Sequence, residues 1–581
     1  MMKQSRSLAL LWLAVPWLVW GRGLEASTST TALAPWVTEF ASDVEAVRRA
    51  LVVPWSEESI DREEALLGDW RRRVEAIDFE GLDADGRMDW LLFNRHLEAE
   101  RARLILERSQ LLELAEALPF RHELQRLQQG RWQQAVVDPA AMAGVLDGAL
   151  TSVKDVRRRV QEGRDGSGPK NPAPVLVLSP VMAIRTALVI DDLHTSLREW
   201  FSFYDGFVPE FSWWVRRPYQ ALETGLDDYA KYLRTEVAGL KGEPDDPLLG
   251  EPAGAPAIAQ QIAAEWIPQT ADELIAVGER ELAWCEVEMR KAAAEMGLGD
   301  DVAAALAKIK TLHVAPGAQP ALVTQEAERA IAFIKERSLL TIPPLCEETW
   351  RLAMLTPEAQ KTLPYAVYSS PRIMVAYAHE AMDHEDKMMS MRGNNQPSLH
   401  LVTPHELIPG HHLQGFMAQR HQPHRQRFAT PFFVEGWALH WEMRFWDLAY
   451  SKTPEERLGM LFWRRHRCAR IIVSLNFHLG RTTPSEMVDF LVTRIGHEKT
   501  AATSEVRRYI NGSYSPLYQA AYMIGGLQLR ALHHEIVGSG HMTEHAFHDA
   551  VLTHGPVPIA LIRARLLDET LTRDWKPARS K

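Results

Sequence analysis

The sequence predicts a mainly α-helical protein with a minor β-sheet. Long stretches show the apolar spacing of amphipathic helices, at about residues 37–75, 86–116, 139–162, 177–204 and 213–240. Segments with the alternation typical of strands are few, namely 311–314, 365–368 and, less clearly, 398–402. The 581-residue chain contains no internal repeat and no low-complexity tract. We therefore expect a large helical core with one small sheet.

The N-terminal segment has the pattern of an export signal. Lys3 and Arg6 precede an apolar run from Leu8 to Trp20, and Ala26 is a small residue at a suitable cleavage point. The run is short for a membrane span, so an uncleaved anchor is the weaker alternative. We expect a signal peptide at 1–26, a periplasmic or secreted protein, and no stable membrane insertion after cleavage.

A proline-rich stretch divides the rest of the chain. Lys241 to Pro256 contains four prolines, a composition typical of a linker. It favours an N-terminal helical region at 27–255 and a second region at 256–581, which can also form one continuous domain. Just after it, Thr270 and Glu273 have the spacing of a capping box and predict the start of a helix.

Composition restricts the partners. The formal net charge is −11, and removing the leader, whose net charge is +2, makes the mature chain −13. This balance disfavours nucleic acid and anionic membrane surfaces as partners. The three cysteines, at 285, 346 and 468, fit neither a disulfide framework nor a zinc knuckle. None lies near the predicted cleavage point, which disfavours attachment of a lipid there.

The segment from His405 to His412 carries the strongest chemical signal. A zinc hydrolase needs two neutral imidazoles, a third ligand, and a carboxylate outside the metal shell to act as base. His405 and Glu406 provide the first imidazole and the base, but Pro409 stands where the second histidine of H-E-x-x-H belongs. The Pro-Gly pair predicts a kink or bulge that brings His411 close to His405. His412 is the alternative, and periodicity does not decide between them.

Glu435 is the candidate for the third ligand. It lies in an apolar segment, Pro431 to Glu442, that reads as a largely buried helix. A buried carboxylate is costly unless it is paired or ligated, so a salt bridge to a nearby arginine is the alternative explanation. Glu442 lies seven residues further along the same face and could orient a ligating histidine.

The motif from His405 to Gln414 (HELIPGHHLQ) and the run from Glu435 to Glu442 (EGWALHWE) resemble the H-E-x-x-P-G-H pattern of the bacterial DUF885 proteins. Stretches at Thr270 and Arg508 fit as well, so the resemblance covers roughly residues 45–570. The family is regarded as distantly related to the gluzincins, metallopeptidases with HExxH and a later glutamate. The resemblance therefore implies peptide hydrolysis and a gluzincin-like zinc metallopeptidase architecture with the minor sheet beside the active site.

The predicted mechanism uses Zn²⁺ held by His405, His411 and Glu435. Glu406 takes a proton from the metal-activated water and later delivers it to the leaving amine. The substrate is a peptide or a small amide. A metallo-amidase or esterase acting on a non-peptide substrate is a second interpretation. A secreted binding or scaffold protein whose metal site is structural, closed by His412 as a fourth ligand, is a third.

Residues near the C-terminal end of the chain are the candidate oxyanion donors. Tyr518 and Tyr522 lie four apart in an aromatic segment, although tyrosines in such runs more often belong to the core. Tyr518 stands where the DUF885 pattern has glutamine. Arg508 could bind a substrate carboxylate, which would indicate a carboxypeptidase or dipeptidase, but an ion pair at the surface is its simpler explanation.

Other histidine clusters have simpler interpretations than a metal site. His541 to His545 matches the inverted motif H-x-x-E-H, but it follows a glycine-rich stretch, and we expect no metal there. His379 and His384 are five apart, off any common helical face. Their simpler interpretation is a polar helix face near the site. His533 to Glu535 predicts a solvated helix face.

Overall fold

The computed structural model describes residues 31–578 except for Val52, 167–173, 244–245, 361–362 and Pro364. The predicted signal peptide at 1–26 lies outside the described residues. No helix within the described part of the chain is long and apolar enough to cross a membrane.

Twenty-three α-helices make up most of the described chain and confirm the predicted helical class. The first eight are α1 (Ala34–Ala50), α2 (Glu57–Glu75), α3 (Ala84–Glu113), α4 (Arg121–Trp132), α5 (Pro139–Arg164), α6 (Pro180–Tyr204), α7 (Pro209–Tyr232) and α8 (Ala255–Ala264). The others are α9 (Ala271–Glu295), α10 (Val302–Lys310), α11 (Gln319–Arg337), α12 (Pro344–Thr349), α13 (Pro357–Gln360), α14 (His384–Gly393), α15 (Gln396–Glu406), α16 (His411–Ala418), α17 (Pro431–Asp447), α18 (Pro454–His478), α19 (Pro484–Thr493), α20 (Lys499–Ile510), α21 (Tyr518–Ile536), α22 (Glu544–Thr553) and α23 (Ile559–Leu566).

Local signals set many of the helix boundaries. The capping box predicted at Thr270 and Glu273 is present at the start of α9. The stretch predicted as helical at 37–75 is two helices, because Ser56 caps a new helix through its side chain. A π-helical turn, Leu233–Val237, extends α7. Helix α4 was not predicted, because its apolar positions are few.

The sheet has three short strands, β1 (Arg351–Met354), β2 (Ala366–Ser369) and β3 (Arg372–Val375), in the order β1-β3-β2. Strand β1 is parallel to β3, and β2 is antiparallel to it. The strand predicted at 365–368 is confirmed as β2. The predictions of strands at 311–314 and 398–402 are wrong.

Burial explains the second of those errors. The segment 398–402 lies inside α15, and all five of its residues are buried. A helix that is buried on every side has no solvent-facing polar side. Its apolar residues therefore do not recur with the 3.6-residue spacing that identifies an amphipathic helix. The segment 311–314 follows α10 without joining the sheet.

Helices α17 and α21 touch backbone to backbone at the centre of the molecule. A Cβ atom added to Gly436 would lie 2.6 Å from the carbonyl carbon of Gly525. A Cβ atom on Gly525 would lie 1.9 Å from the carbonyl oxygen of Phe432. Only glycine allows this approach, and we call the pair Gly436 and Gly525 the glycine contact. It fixes α21 against the helix that carries Glu435.

The largest apolar core contains residues from both sides of the predicted linker. The largest core joins side chains of α1 to α3 with others from α11, α17 and α23, whereas α4 to α7 share a separate core. The linker itself packs closely: Gly254 N–H donates to the His478 carbonyl at 2.9 Å. The domain boundary at 255 stays a prediction.

Candidate metal centre

A tight loop separates His405 from His411. Helix α15 ends at Glu406 and α16 begins at His411, with a cis Ile408–Pro409 peptide between them. Gly410 N–H donates to the Pro404 carbonyl at 3.0 Å. A Cβ atom on Gly410 would lie 1.7 Å from the His405 carbonyl oxygen, so the loop requires glycine there. The predicted kink is thus a complete break between two helices.

This loop brings together the three predicted ligands. His411 Nε2 lies 3.3 Å and His405 Nε2 lies 3.9 Å from Glu435 Oε2. One ligand atom of each residue lies within 4.8 Å of the other two. Glu435 Oε2 is buried and has no hydrogen-bond partner in the described part of the chain. Two imidazoles and a carboxylate with an unpaired oxygen form a donor set that fits Zn²⁺ and leaves a coordination position open.

His405 is held in one orientation by Glu442. Its Nδ1 lies 2.7 Å from Glu442 Oε1, and both side chains are buried. With Nδ1–H donating to this carboxylate, the neutral ring keeps the Nε2 lone pair directed toward Glu435. The orienting role that the sequence suggested for Glu442 therefore has a geometric basis.

His412 lies outside this group. Its Nε2–H donates to the Cys346 carbonyl at 2.9 Å, and its Nδ1 lies 3.0 Å from the Tyr368 hydroxyl. Both ring nitrogens are thus engaged on the other side of α16. Of the two alternatives left open by the sequence, the structure places His411 at the candidate centre.

The electrostatics of the centre favour a cation. Burial opposes ionisation of Glu435, but the neighbouring imidazoles of His411 and His405, together with the Tyr518 hydroxyl, outweigh burial and hold its pKa well below the usual range. Burial opposes protonation of His411, but Glu435 and Glu406 outweigh it and raise the pKa of that imidazole. Burial raises the pKa of the Glu406 carboxyl, and Glu435 adds to this effect against the influence of His405 and His411.

The candidate centre opens into a cavity of about 400 Å³. Glu406 is half-buried in its wall, beside His405 and His411. The strand β2 forms another side through Ala366, Val367 and Tyr368, which agrees with the predicted place of the sheet. The cavity wall thus contains, next to the candidate ligands, a carboxylate that can act as a base.

The two predicted tyrosines also line the cavity. The Tyr518 hydroxyl donates to Glu435 Oε1 at 2.5 Å, so it holds the carboxylate whose other oxygen faces the histidines. The Tyr522 ring lies under two guanidinium groups, 4.8 Å from that of Arg467 and 4.5 Å from that of Arg470. Burial, with the charge of Glu435, raises the pKa of Tyr522 to about 12, so its hydroxyl is a proton donor at neutral pH. The oxyanion roles of both tyrosines stay predictions.

Two of the three arginines of this cavity, Arg467 and Arg470, were not predicted from the sequence. Arg467 and Arg470 line it from α18 and Arg508 from α20. The signal that could have identified them is their position in a segment rich in apolar residues. Helix α18 is buried along almost its whole length, and buried arginines require charged partners or a function. The predicted surface ion pair of Arg508 is partly wrong: Arg508 does pair with Glu505, at 3.0 Å, but its side chain is only 25% exposed.

A second histidine and glutamate cluster lies elsewhere. His533, Glu544 and His548 also have potential ligand atoms within 4.8 Å of one another. However, Glu544 Oε1 accepts two hydrogen bonds from Arg444, at 2.7 and 3.0 Å, and His548 Nε2 lies 3.0 Å from His440 Nε2. These contacts explain the cluster as a buried polar network. The predicted solvated face holds for His534 and Glu535, which are exposed, but is wrong for His533, whose side chain is 12% exposed.

The remaining histidine clusters lie at helix starts or in the segments before them, so the helix face predicted for His379 and His384 is wrong for His379. His541 precedes α22, which begins at Glu544, so the inverted motif does not lie on one helix. His384 is exposed at the start of α14, and His379 lies before that helix near a neighbouring cavity. Neither forms a metal-ligand group among the described residues. The three cysteines are buried and unpaired.

Two solved structures share the fold. A candidate lipoprotein of unknown function from Shewanella oneidensis aligns with a TM-score of 0.66 and 16% identity, over 92% of this chain and all of its own length. A candidate lipoprotein from Colwellia psychrerythraea aligns with a TM-score of 0.58 and 15% identity, over 92% of this chain and 98% of that one. No curated protein matches the chain. The sequence matches the pattern of a bacterial family of unknown function, DUF885, over residues 43–566, nearly the whole chain. The protein is therefore a member of the DUF885 family.

Proposed function

We propose that this protein is an exported zinc-dependent hydrolase that cleaves peptide bonds. The observation that carries the proposal is the meeting of His405, His411 and Glu435 in a cavity whose wall also contains Glu406. Two imidazoles, a carboxylate and a separate base are the groups that metal-assisted hydrolysis requires.

The roles of the residues follow from their positions. A bound Zn²⁺ supplies a Lewis acid that polarises a carbonyl and makes water a better nucleophile. Glu406 takes the proton from the attacking water and passes it to the leaving amine.

A purely structural metal site is the weaker explanation. Structural zinc sites are closed by four protein ligands. His412, the residue that could complete such a set, has both ring nitrogens engaged by Cys346 and Tyr368. The three remaining groups face a cavity large enough for a ligand.

The sheet supports a peptide over other acyl substrates. Strand β2 is an edge strand in the described sheet, and it lines the cavity. An extended peptide can add to such an edge through main-chain hydrogen bonds while its scissile bond reaches the metal centre. Export is supported by the N-terminal leader pattern and by the two candidate lipoproteins that share the fold.

The test measures metal content and peptide cleavage separately. The purified protein should contain about one zinc per chain, and a chelator should abolish cleavage of a peptide library. Glu406→Gln should retain the metal but lose roughly 10² to 10⁴ in turnover. Glu385→Gln, an exposed carboxylate on α14, is the matched control and should behave like the parent protein.

The opposite results reject the proposal. Normal turnover in Glu406→Gln would show that this carboxylate is not the base. Metal loss in that variant would place it among the ligands, and metal-independent cleavage would remove the role of the whole centre.

A further inference from the structure

Three arginines form one wall of the cavity. Arg467, Arg470 and Arg508 all line it, and we call them the arginine wall. The side chains of Arg467 and Arg470 are 8% and 4% exposed, which is very low for arginine. Burying three guanidinium groups beside one cavity is costly unless something compensates the charge.

The compensation within the described residues is incomplete. Glu505 accepts hydrogen bonds from Arg470 at 2.9 Å and from Arg508 at 3.0 Å. A guanidinium nitrogen of Arg467 lies 3.8 Å from Glu442 Oε1. The same carboxylate oxygen also accepts the hydrogen bond from His405 Nδ1–H. Thus two carboxylates contact the three guanidinium groups, while the other two carboxylates of the cavity, Glu406 and Glu435, lie at the candidate metal centre. Arg467 shares its acidic neighbour with His405.

Each arginine also has an unsatisfied donor. Arg467 Nε, Arg470 Nη1 and Arg508 Nε are buried and have no hydrogen-bond partner among the described residues. Unpaired buried donors of charged groups are rare, because each forfeits a strong hydrogen bond. Arg464 and Arg465 on the same helix also have such donors, so the feature that sets the arginine wall apart is that its three side chains share one cavity.

The arginine wall lies close to the metal centre. Arg467 contacts Glu442, which orients His405. On the other side, the Arg508 guanidinium lies 5.8 Å from the Tyr514 ring, and Tyr514 packs against Tyr518 with ring centroids 4.4 Å apart. One side chain, Glu442, thus lies between Arg467 and His405, and two tyrosines lie between Arg508 and Glu435.

We propose that the arginine wall binds the C-terminal carboxylate of a peptide, so that the enzyme removes the last residue. This inference rests on the proposed peptidase function and names its substrate class. Guanidinium groups bind carboxylates through paired, charge-assisted hydrogen bonds. Hydrolysis breaks the last C–N bond and joins the water oxygen to the carbonyl carbon, and Glu406 passes the water proton to the nitrogen of the released amino acid. The tyrosines beside the wall favour an apolar or aromatic last residue.

The first arm of the test uses one short N-acetylated peptide ending in phenylalanine, as the free acid and as the C-terminal amide. The zinc-loaded protein should release phenylalanine from the acid and should cleave the amide 10- to 100-fold more slowly, on the scale of a charged hydrogen bond. Arg508→Met should lose this preference, mainly through a higher KM for the acid. Arg481→Met, an exposed arginine paired with Asp272, is the control and should keep it.

The second arm measures binding without turnover. N-Acetylphenylalanine should bind the zinc-loaded protein more tightly than its amide does, and Arg508→Met should remove the difference. A carboxylate preference that survives Arg508→Met would place the anion on the metal or elsewhere and overturn the proposal.

The outcomes separate this inference from the proposed function. Cleavage at internal bonds, with equal rates for the acid and the amide, would reject carboxylate binding by the arginine wall but would still support the proposed peptidase function. Cleavage only beside an internal aspartate or glutamate would show that the wall binds an acidic side chain instead. Absence of metal and of all cleavage would reject the peptidase, and equal binding of acid and amide would then reject the carboxylate site as well.

Discussion

Replacing Glu442 by glutamine tests how the protein holds His405. Glutamine has the same shape and can still accept the Nδ1–H hydrogen bond through its carbonyl oxygen, but it has no charge. In the structure this bond is 2.7 Å long, and both side chains are less than a tenth exposed. Solvent therefore cannot replace the lost interaction.

The magnitude follows from the difference between two kinds of hydrogen bond. Bonds to a charged group contribute about 1.5 to 3 kcal/mol and neutral bonds about 0.5 to 1.5. The exchange should therefore cost about 1 to 1.5 kcal/mol, or about 10-fold in the Kd for zinc. Glu442→Ala removes the acceptor altogether and should cost up to about 100-fold.

The assay is a competition between the protein and a chromophoric zinc chelator. Asp447→Asn, on the same helix but at its exposed end, is the control and should leave the Kd unchanged. Circular dichroism should show the same helix content in all variants. An unchanged Kd in Glu442→Ala would refute the orienting role, and metal loss as complete as in Glu435→Ala would make Glu442 a ligand.

Three further predictions test the loop, the helix contact and the electrostatics. His411→Ala should lose zinc while His412→Ala retains it, as measured by metal analysis, and the reverse result would move the second ligand by one position. Gly436→Ala should lower the free energy of unfolding by about 1 to 3 kcal/mol or more, because its Cβ would lie 2.6 Å from the Gly525 backbone; Gly415→Ala, which meets no atom within 4 Å, is the control and should cost much less in denaturant unfolding. Burial opposes ionisation of Glu456, but its hydrogen bond with Arg329 outweighs burial and lowers the carboxyl pKa from 4.5 to about 2. That shift corresponds to about 3 kcal/mol, which solvent screening reduces to about 2. A lowered pKa stabilises the folded state above pH 4.5, and this contribution is lost as the pH falls toward 2. Glu456→Gln should therefore destabilise the protein at pH 7 and much less at pH 3, and an equal loss at both would contradict the assignment.

Much of the candidate centre could be predicted because its residues lie in two short segments. The H-E pair and the Pro-Gly sequence identified His405, Glu406 and the need for a distorted backbone. The choice between His411 and His412 depended on contacts that the motif does not contain. His412 is held by Cys346 and Tyr368, which lie 66 and 44 residues away along the chain.

The sequence singles out Arg508 as a candidate carboxylate-binding residue, but the grouping of three arginines at one cavity could not be predicted, for the same reason. Arg467 and Arg508 come from different helices, and only the packing of α18 and α20 places them at one cavity. The strands failed in another way. Strands β1 and β3 both begin with arginine and contain no aromatic residue, so they lack the alternation that marked the segment 365–368.

The glycine contact has a consequence for how this protein can be redesigned. Since α17 and α21 meet without intervening side chains, Glu435 and the tyrosines of α21 move as one rigid piece. Substitutions that alter this piece will disturb the metal centre and the substrate site together. The opposite walls, formed by α18, α20 and β2, reach the cavity through side chains alone. A library randomised at the side chains of α20 and β2, and leaving Arg467 unchanged because it contacts Glu442, should therefore yield new substrate preferences with zinc affinity intact.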